Sequence, residues 1–214
     1  MMKTDDLISL LATGIEPIDR QQFTRRIGLA MLIAIVGASV LTVLLYGVRA
    51  DLAVVAATPL FWGKIALPAS LMVAALLVFN RLARPGLEVG LRWGGIGAPV
   101  LGVWAVTLLV LSGVPEEQQL SMIFGQTWRS CAFNIVLLSV PGFFALIRVL
   151  REFAPTQLRL SGAVAGLLAS ATATLAYCLH CPEMEVPFWG VWYVLGMAIP
   201  TLLGALLGPR WLRW

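Results

Sequence analysis

Residues 160–183 read LSGAVAGLLASATATLAYCLHCPE, and the plan of the chain can be worked out from this stretch. From Leu160 to Leu179 there is no charged residue. That length matches the ~20 apolar residues an α-helix needs to cross the hydrocarbon of a bilayer. Gly162, Gly166, Ser170, Thr174 and Cys178 recur at every fourth position, so they form one small-residue stripe. Such a stripe lets a second membrane helix approach closely. The apolar run then gives way to His180, Cys181, Pro182 and Glu183, which include the only histidine. Pro182 stops the helix and fixes how the Cys181 thiol is presented.

Five more apolar segments surround this one: Ile27–Gly47, Leu60–Asn80, Gly94–Ser112, Ala132–Ile147 and Phe188–Leu207. With 59% hydrophobic and 12% charged residues, a chain of 214 residues has too much apolar surface for a soluble core. The expected fold is all-α, a polytopic membrane protein with six transmembrane helices. Pro68, Pro99, Pro141 and Pro200 fall within the spans, where membrane helices tolerate them. The sixth span repeats the small-residue spacing at Gly196, Pro200, Gly204 and Gly208, so the fifth and sixth spans are expected to pack tightly. The first apolar run starts near Ile27, is too long for a signal-peptide core and lacks a cleavage site after it, so no signal peptide is expected. No internal repeat suggests an inverted-repeat transporter.

Orientation follows from the cations. With the N-terminus inside, the inner side receives Lys3, Arg20, Arg25, Arg26, Arg81, Arg84, Arg92, Arg148, Arg151, Arg159, Arg210 and Arg213. The outer side receives Arg49, Lys64 and Arg129. The excess predicts that both termini are cytoplasmic. It also explains the net charge of +4 without nucleic acid, since no Lys/Arg-rich run is present. Two parts are expected: a cytoplasmic region 1–26 and a six-helix domain 27–214. In the first, Thr4 caps a short helix with Asp5 and Asp6 in its first turn. Leu7, Ile8, Leu10 and Leu11 follow, and Gly14 is the stop. This amphipathic helix either lies on a surface or docks into the groove of a cytoplasmic partner.

The topology places Cys131 at the outer start of the fourth span and Cys181 at the outer end of the fifth. A thiol pair there suits a disulfide, a soft-metal site or a reactive sensor, or else two small apolar side chains at an interface. Cys178 continues the stripe, which points to packing. His180 is a surface residue, an aid to the neighbouring thiolate, or a metal ligand together with Glu183 and Met184. Copper or another soft cation suits such a set. Lys64 lies one turn into the second span and is expected to snorkel outward. Thr107, Asn134, Ser139, Ser170 and Thr174 are expected to hydrogen-bond between helices.

Several stretches together resemble the NrsF family of membrane anti-sigma factors. These are Met2-Lys3-Thr4-Asp5-Asp6-Leu7-Ile8, Thr127-Trp128-Arg129-Ser130-Cys131-Ala132-Phe133-Asn134-Ile135, and Leu179-His180-Cys181-Pro182-Glu183 with Pro187-Phe188 and Val191-Trp192-Tyr193. The ending Leu203-Gly204-Ala205-Leu206-Leu207-Gly208-Pro209-Arg210 fits as well. The resemblance implies a regulator, not an enzyme, that holds an extracytoplasmic-function (ECF) sigma factor at the inner membrane. It implies release when heavy-metal or oxidative stress acts on Cys131 and Cys181, with no required cofactor and at most a transient soft metal on those thiols. It makes Thr4–Leu11 the docking helix for the sigma factor, with no direct contact to nucleic acid. Two other classes stand against it. A membrane thiol-disulfide oxidoreductase needs a second thiol pair to relay electrons, and three cysteines do not supply two pairs. A small metal transporter needs polar groups deep in several spans, where they are scarce.

Overall fold

The structure is a computed structural model that describes Ser9, residues 20–84 and residues 86–213. Of the expected docking helix Thr4–Leu11, all but Ser9 lies outside the described residues. The described residues form helices α1 (Arg20–Leu45), α2 (Leu52–Val55), α3 (Pro59–Leu82), α4 (Gly94–Ser112), α5 (Glu116–Phe124), α6 (Trp128–Glu152), α7 (Leu158–Tyr177) and α8 (Val186–Trp211). A 3-10 turn, Gly90–Trp93, leads into α4, and no strand occurs among the described residues. Six of the helices are long and apolar enough to cross a membrane. The chain is an all-α, multi-pass membrane protein.

The helices outrun the apolar windows that mark them. The fourth segment was expected over Ala132–Ile147, yet α6 continues from Trp128 to Glu152. Hydropathy marks the part in hydrocarbon, whereas backbone hydrogen bonding carries a helix on into the headgroup region. Helix α1 likewise starts at Arg20, within the stretch 1–26 that reads as polar. Its first turns are held by Phe23, which is buried edge-on against Phe153 and carries the Arg84 guanidinium 4.4 Å over its ring. Arg26 pairs with Glu152 at the same end.

Helix α7 is the axis of the bundle. In its most apolar window 83% of residues are buried, against 11% for the span containing α4. Around α7 stand α1, α3, α6 and α8, while α4 lies outside, on α3 and α8. The outer helix shows Leu101, Leu108 and Leu109 to its surroundings, an apolar surface suited to lipid.

The two stripes meet as expected. A Cβ added at Gly162 would come within 2.1 Å of the Gly204 carbonyl oxygen, and one at Gly166 within 2.0 Å of the Pro200 carbonyl oxygen. Backbone therefore rests on backbone along α7 and α8. Ser170 adds a hydrogen bond across the seam, from Oγ to the Met197 carbonyl at 3.3 Å. Of the other polar groups expected to bridge helices, Asn134 does so, whereas Ser139 and Thr174 donate to carbonyls of their own helices. Thr107 Oγ1 is buried without a partner, tight against Gly190 of α8.

Alternating helix directions put residues 46–58, 113–127 and 178–185 at one end of the bundle. The starts of α1 and α4 and the ends of α6 and α8 lie at the other end.

Candidate functional site

The two predicted thiols meet at the first of these ends. Cys131 lies in the first turn of α6, and Cys181 lies in the loop after α7. The fifty positions between them in sequence vanish because α6 and α7 form an antiparallel hairpin. Their side chains hydrogen-bond to each other, both are free thiols, and neither is exposed to solvent.

Cys178 joins this cluster as well as filling the stripe. Its Sγ lies 4.0 Å from Tyr193 Oη, and the Tyr193 hydroxyl also hydrogen-bonds Cys181. All three cysteines thus lie on one hydrogen-bonded chain closed by Tyr193 of α8. Within it Cys181 is the thiol that ionises most easily. Its pKa is lowered, first by the hydrogen bond from Cys131, against the effect of burial, then by the positive charge of Lys64. Donation from Tyr193 and from the Glu183 backbone N–H adds to this. Donors and a cation beside a thiol favour its thiolate form.

Lys64 corrects the sequence reading. It does not snorkel outward: it is fully buried. Its Nζ donates to the carbonyls of Cys181 and Glu183, both at 2.8 Å, and lies 5.7 Å from the centre of the Tyr193 ring. These acceptors satisfy the ammonium inside the bundle, so it has no need to reach water. Arg49 grips the same loop, with Nη1 donating to the Cys181 carbonyl at 3.2 Å and reaching Met184 Sδ at 3.6 Å. Asp51 holds the other face of that guanidinium. Two of the three cations on the sparsely charged side are therefore parts of the thiol loop. Their departure from the positive-inside pattern was the signal that could have found them.

Glu183 closes the site from the other side. Its Oε1 accepts from the backbone N–H of Gln126 at 2.8 Å, the N–H of Thr127 at 3.0 Å and Thr127 Oγ1 at 3.1 Å. It is a cap supplied to α6 from a distant loop, at the helix end whose dipole favours an anion. Gly125 makes room for it with φ +52°, since a Cβ there would lie 2.6 Å from Glu183 Oε2. One carboxylate thus ties the helix of Cys131 to the loop of Cys181. Glu183→Gln is expected to lower stability by about 1–2 kcal/mol, the usual scale for a lost cap. Thermal unfolding of the purified protein measures it, with the exposed Glu117→Gln as the unaffected reference.

His180 points away from the thiols. Its Nδ1 lies 3.2 Å from the Gly47 carbonyl, which can only accept, so Nδ1 carries the proton. The ring sits between Tyr46 and Tyr177, with centroids at 5.2 and 5.7 Å. One turn below Cys131, Tyr46 donates to Asn134 Oδ1 at 3.0 Å, and Asn134 Nδ2 donates to Tyr177 Oη at 3.3 Å. Among the described residues no group of three or more His, Cys, Asp or Glu is arranged to hold a metal. A soft cation would find the two thiols and, beside them, the Tyr193 hydroxyl.

Comparison with known proteins agrees with the motifs. A family model described as NrsF, negative regulator of sigma F, matches residues 11–214. A protein of Azospira oryzae named probable anti-sigma-F factor NrsF is 42% identical over 213 residues, covering all of both chains. The anti-sigma-F factor NrsF of Caulobacter vibrioides is 35% identical over 219 residues, again across both full lengths. No solved structure matches.

Proposed function

We propose that this chain, which belongs to the NrsF family of negative regulators of sigma F, holds an ECF sigma factor inactive at the bacterial inner membrane and releases it when the Cys131–Cys181 pair reacts. The family is regulatory rather than catalytic. The sigma factor binds at the cytoplasmic side, where the stretch Thr4–Leu11 is the principal contact. The cation distribution supports placing both termini there, with twelve of the 15 Lys and Arg at that end. The thiols then face the periplasm.

The observation that carries the reading is the buried hydrogen bond between two thiols on different elements. Heavy-metal and oxidative stress converge on such a pair. A two-electron oxidant such as a peroxide takes two electrons and the thiol protons, and one S–S bond forms. A soft metal instead displaces the thiol protons and is held by both sulfurs. In the first case the sulfurs close to about 2.05 Å, and in the second they part to make room for the ion. Either change is transmitted to the Lys64, Arg49 and Glu183 contacts that hold the loop. The route from there across ~30 Å of bilayer runs along α6 and α7, whose packing has to shift between two arrangements.

Transcription from a sigma-dependent promoter tests this. Cys131→Ser and Cys181→Ser, singly and together, are each expected to hold the reporter at its uninduced level under cadmium or peroxide. Induction as in the wild type by either single variant would remove the pair from the mechanism.

A further inference from the structure

At the end of the bundle opposite the thiols, α6 and α8 finish side by side. Arg148 and Arg151 of α6 and Arg210 of α8 line a cavity of about 460 Å³ with Phe144, Ile147 and Trp211. All three arginines are exposed. Ion pairs among the described residues form at Arg26–Glu152 and Arg49–Asp51, so none of the three has an acidic partner there. Trp211 stacks on Phe144 with ring centroids 5.7 Å apart. The same two rings wall a second cavity of about 170 Å³, which lies between α6 and α8 and is lined by Val136, Val140, Leu203 and Leu207.

The two spaces share Phe144 and Trp211 as walls, and the lining changes from charged in the first to apolar in the second. From Arg148 to Val136 is twelve residues of helix, or about 18 Å. That exceeds the half-thickness, ~15 Å, of one hydrocarbon leaflet. A charged mouth at the membrane boundary thus stands next to an apolar furrow, and their lining residues on α6 together span the depth of a leaflet. We propose that this is a binding site for one anionic phospholipid, its phosphate on Arg148, Arg151 and Arg210 and one acyl chain between α6 and α8. Charge complementarity selects the headgroup, and basic pockets between helices at the membrane boundary suit it. An acidic protein segment fits the mouth but not the furrow, because unpaired backbone is excluded from hydrocarbon depth.

Native mass spectrometry of the delipidated full-length protein, titrated with phosphatidylglycerol or phosphatidylethanolamine, tests the site. Phosphatidylglycerol is expected to bind as a single retained molecule and more tightly than phosphatidylethanolamine. Arg148→Gln and Arg210→Gln are each expected to weaken it about fivefold, and together about 25-fold. Leu203→Trp, which fills the furrow without touching the arginines, is expected to weaken it as well. Arg92→Gln, at the same end but outside the cavity, leaves it unchanged. Thermal unfolding of each variant checks that the fold is intact. Equal binding of the two lipids overturns the proposal, as does an equal loss in Arg92→Gln. Full binding by Leu203→Trp combined with displacement by soluble glycerol phosphate also overturns it, since it would leave a phosphate site without a lipid chain.

Discussion

Gly166→Ala is expected to cost about 4 kcal/mol of stability, roughly a thousandfold shift of the folding equilibrium toward the unfolded state. The added methyl carbon would sit 2.0 Å from the Pro200 carbonyl oxygen, 2.6 Å from its carbon and 2.9 Å from the Thr201 nitrogen. Carbon and oxygen in contact stand roughly 3.3 Å apart even in a weak hydrogen bond, so the helices have to separate by about 1 Å. Every atom in the way is backbone, so no side chain can swing aside. Separation at Gly166 also undoes the contacts one and two turns away, where Gly204 faces the Gly162 carbonyl oxygen and Gly208 the Leu158 carbonyl oxygen. Inside a bilayer this packing is itself the association energy, because lipid tails replace any hydrophobic drive. Gly28→Ala is the internal reference: nothing lies within 4 Å of its added methyl group. There the change is expected to stabilise by up to ~1 kcal/mol, as glycine does less well than alanine in a helix. Unfolding of both variants in a dodecyl sulfate titration compares them directly. Equal stability would mean that α7 and α8 do not rest backbone on backbone.

That seam was legible in the sequence because it is written locally, four residues at a time, on each of two helices. The same holds for the six spans, which hydropathy marks one by one. The pairing of Cys131 with Cys181 came from the family motifs and from alternating helix directions, since both place the thiols at one end. What escaped was written between elements. Lys64 reads as an ordinary boundary lysine until its acceptors, 117 and 119 positions away, are known. Glu183 reads as a loop acid or a metal ligand, yet it caps a helix that begins 55 positions earlier, and Thr127 itself offers no side-chain cap. His180 adjoins Cys181 in the chain, and adjacency suggested a partnership. A loop residue and its neighbour point different ways, so His180 turns to Gly47 instead.

Lys64→Met is expected to have the second large effect, because one ammonium holds the loop and charges the thiol at once. A buried cation is costly unless its donors are satisfied, and here two of the three have carbonyl acceptors at 2.8 Å. Methionine keeps the length and apolar stem but offers no donor. The Cys181 carbonyl retains Arg49 at 3.2 Å, so the loss falls mainly on the Glu183 carbonyl and on the loop between them. Two hydrogen bonds to a charged group contribute about 1.5–3 kcal/mol each, and removing the buried charge returns part of that, which leaves a net loss of about 2 kcal/mol. The chemical effect is separate and opposite in sign to mere loosening. With the positive charge gone, the Cys181 thiolate loses a stabilising partner, and its lowered pKa rises toward the ordinary thiol range. Below the new value the thiol is protonated and slow, whereas above it the freed loop makes it faster than in the wild type. Alkylation followed at the Cys181 peptide by mass spectrometry resolves both: the midpoint of the pH–rate curve moves upward while its alkaline plateau rises. On the proposed function, reporter induction by metal and peroxide is then expected to fall although Cys131 and Cys181 are both present. A curve with an unchanged midpoint would free Lys64 of any part in setting the thiol, and an unchanged plateau would mean that it does not hold the loop.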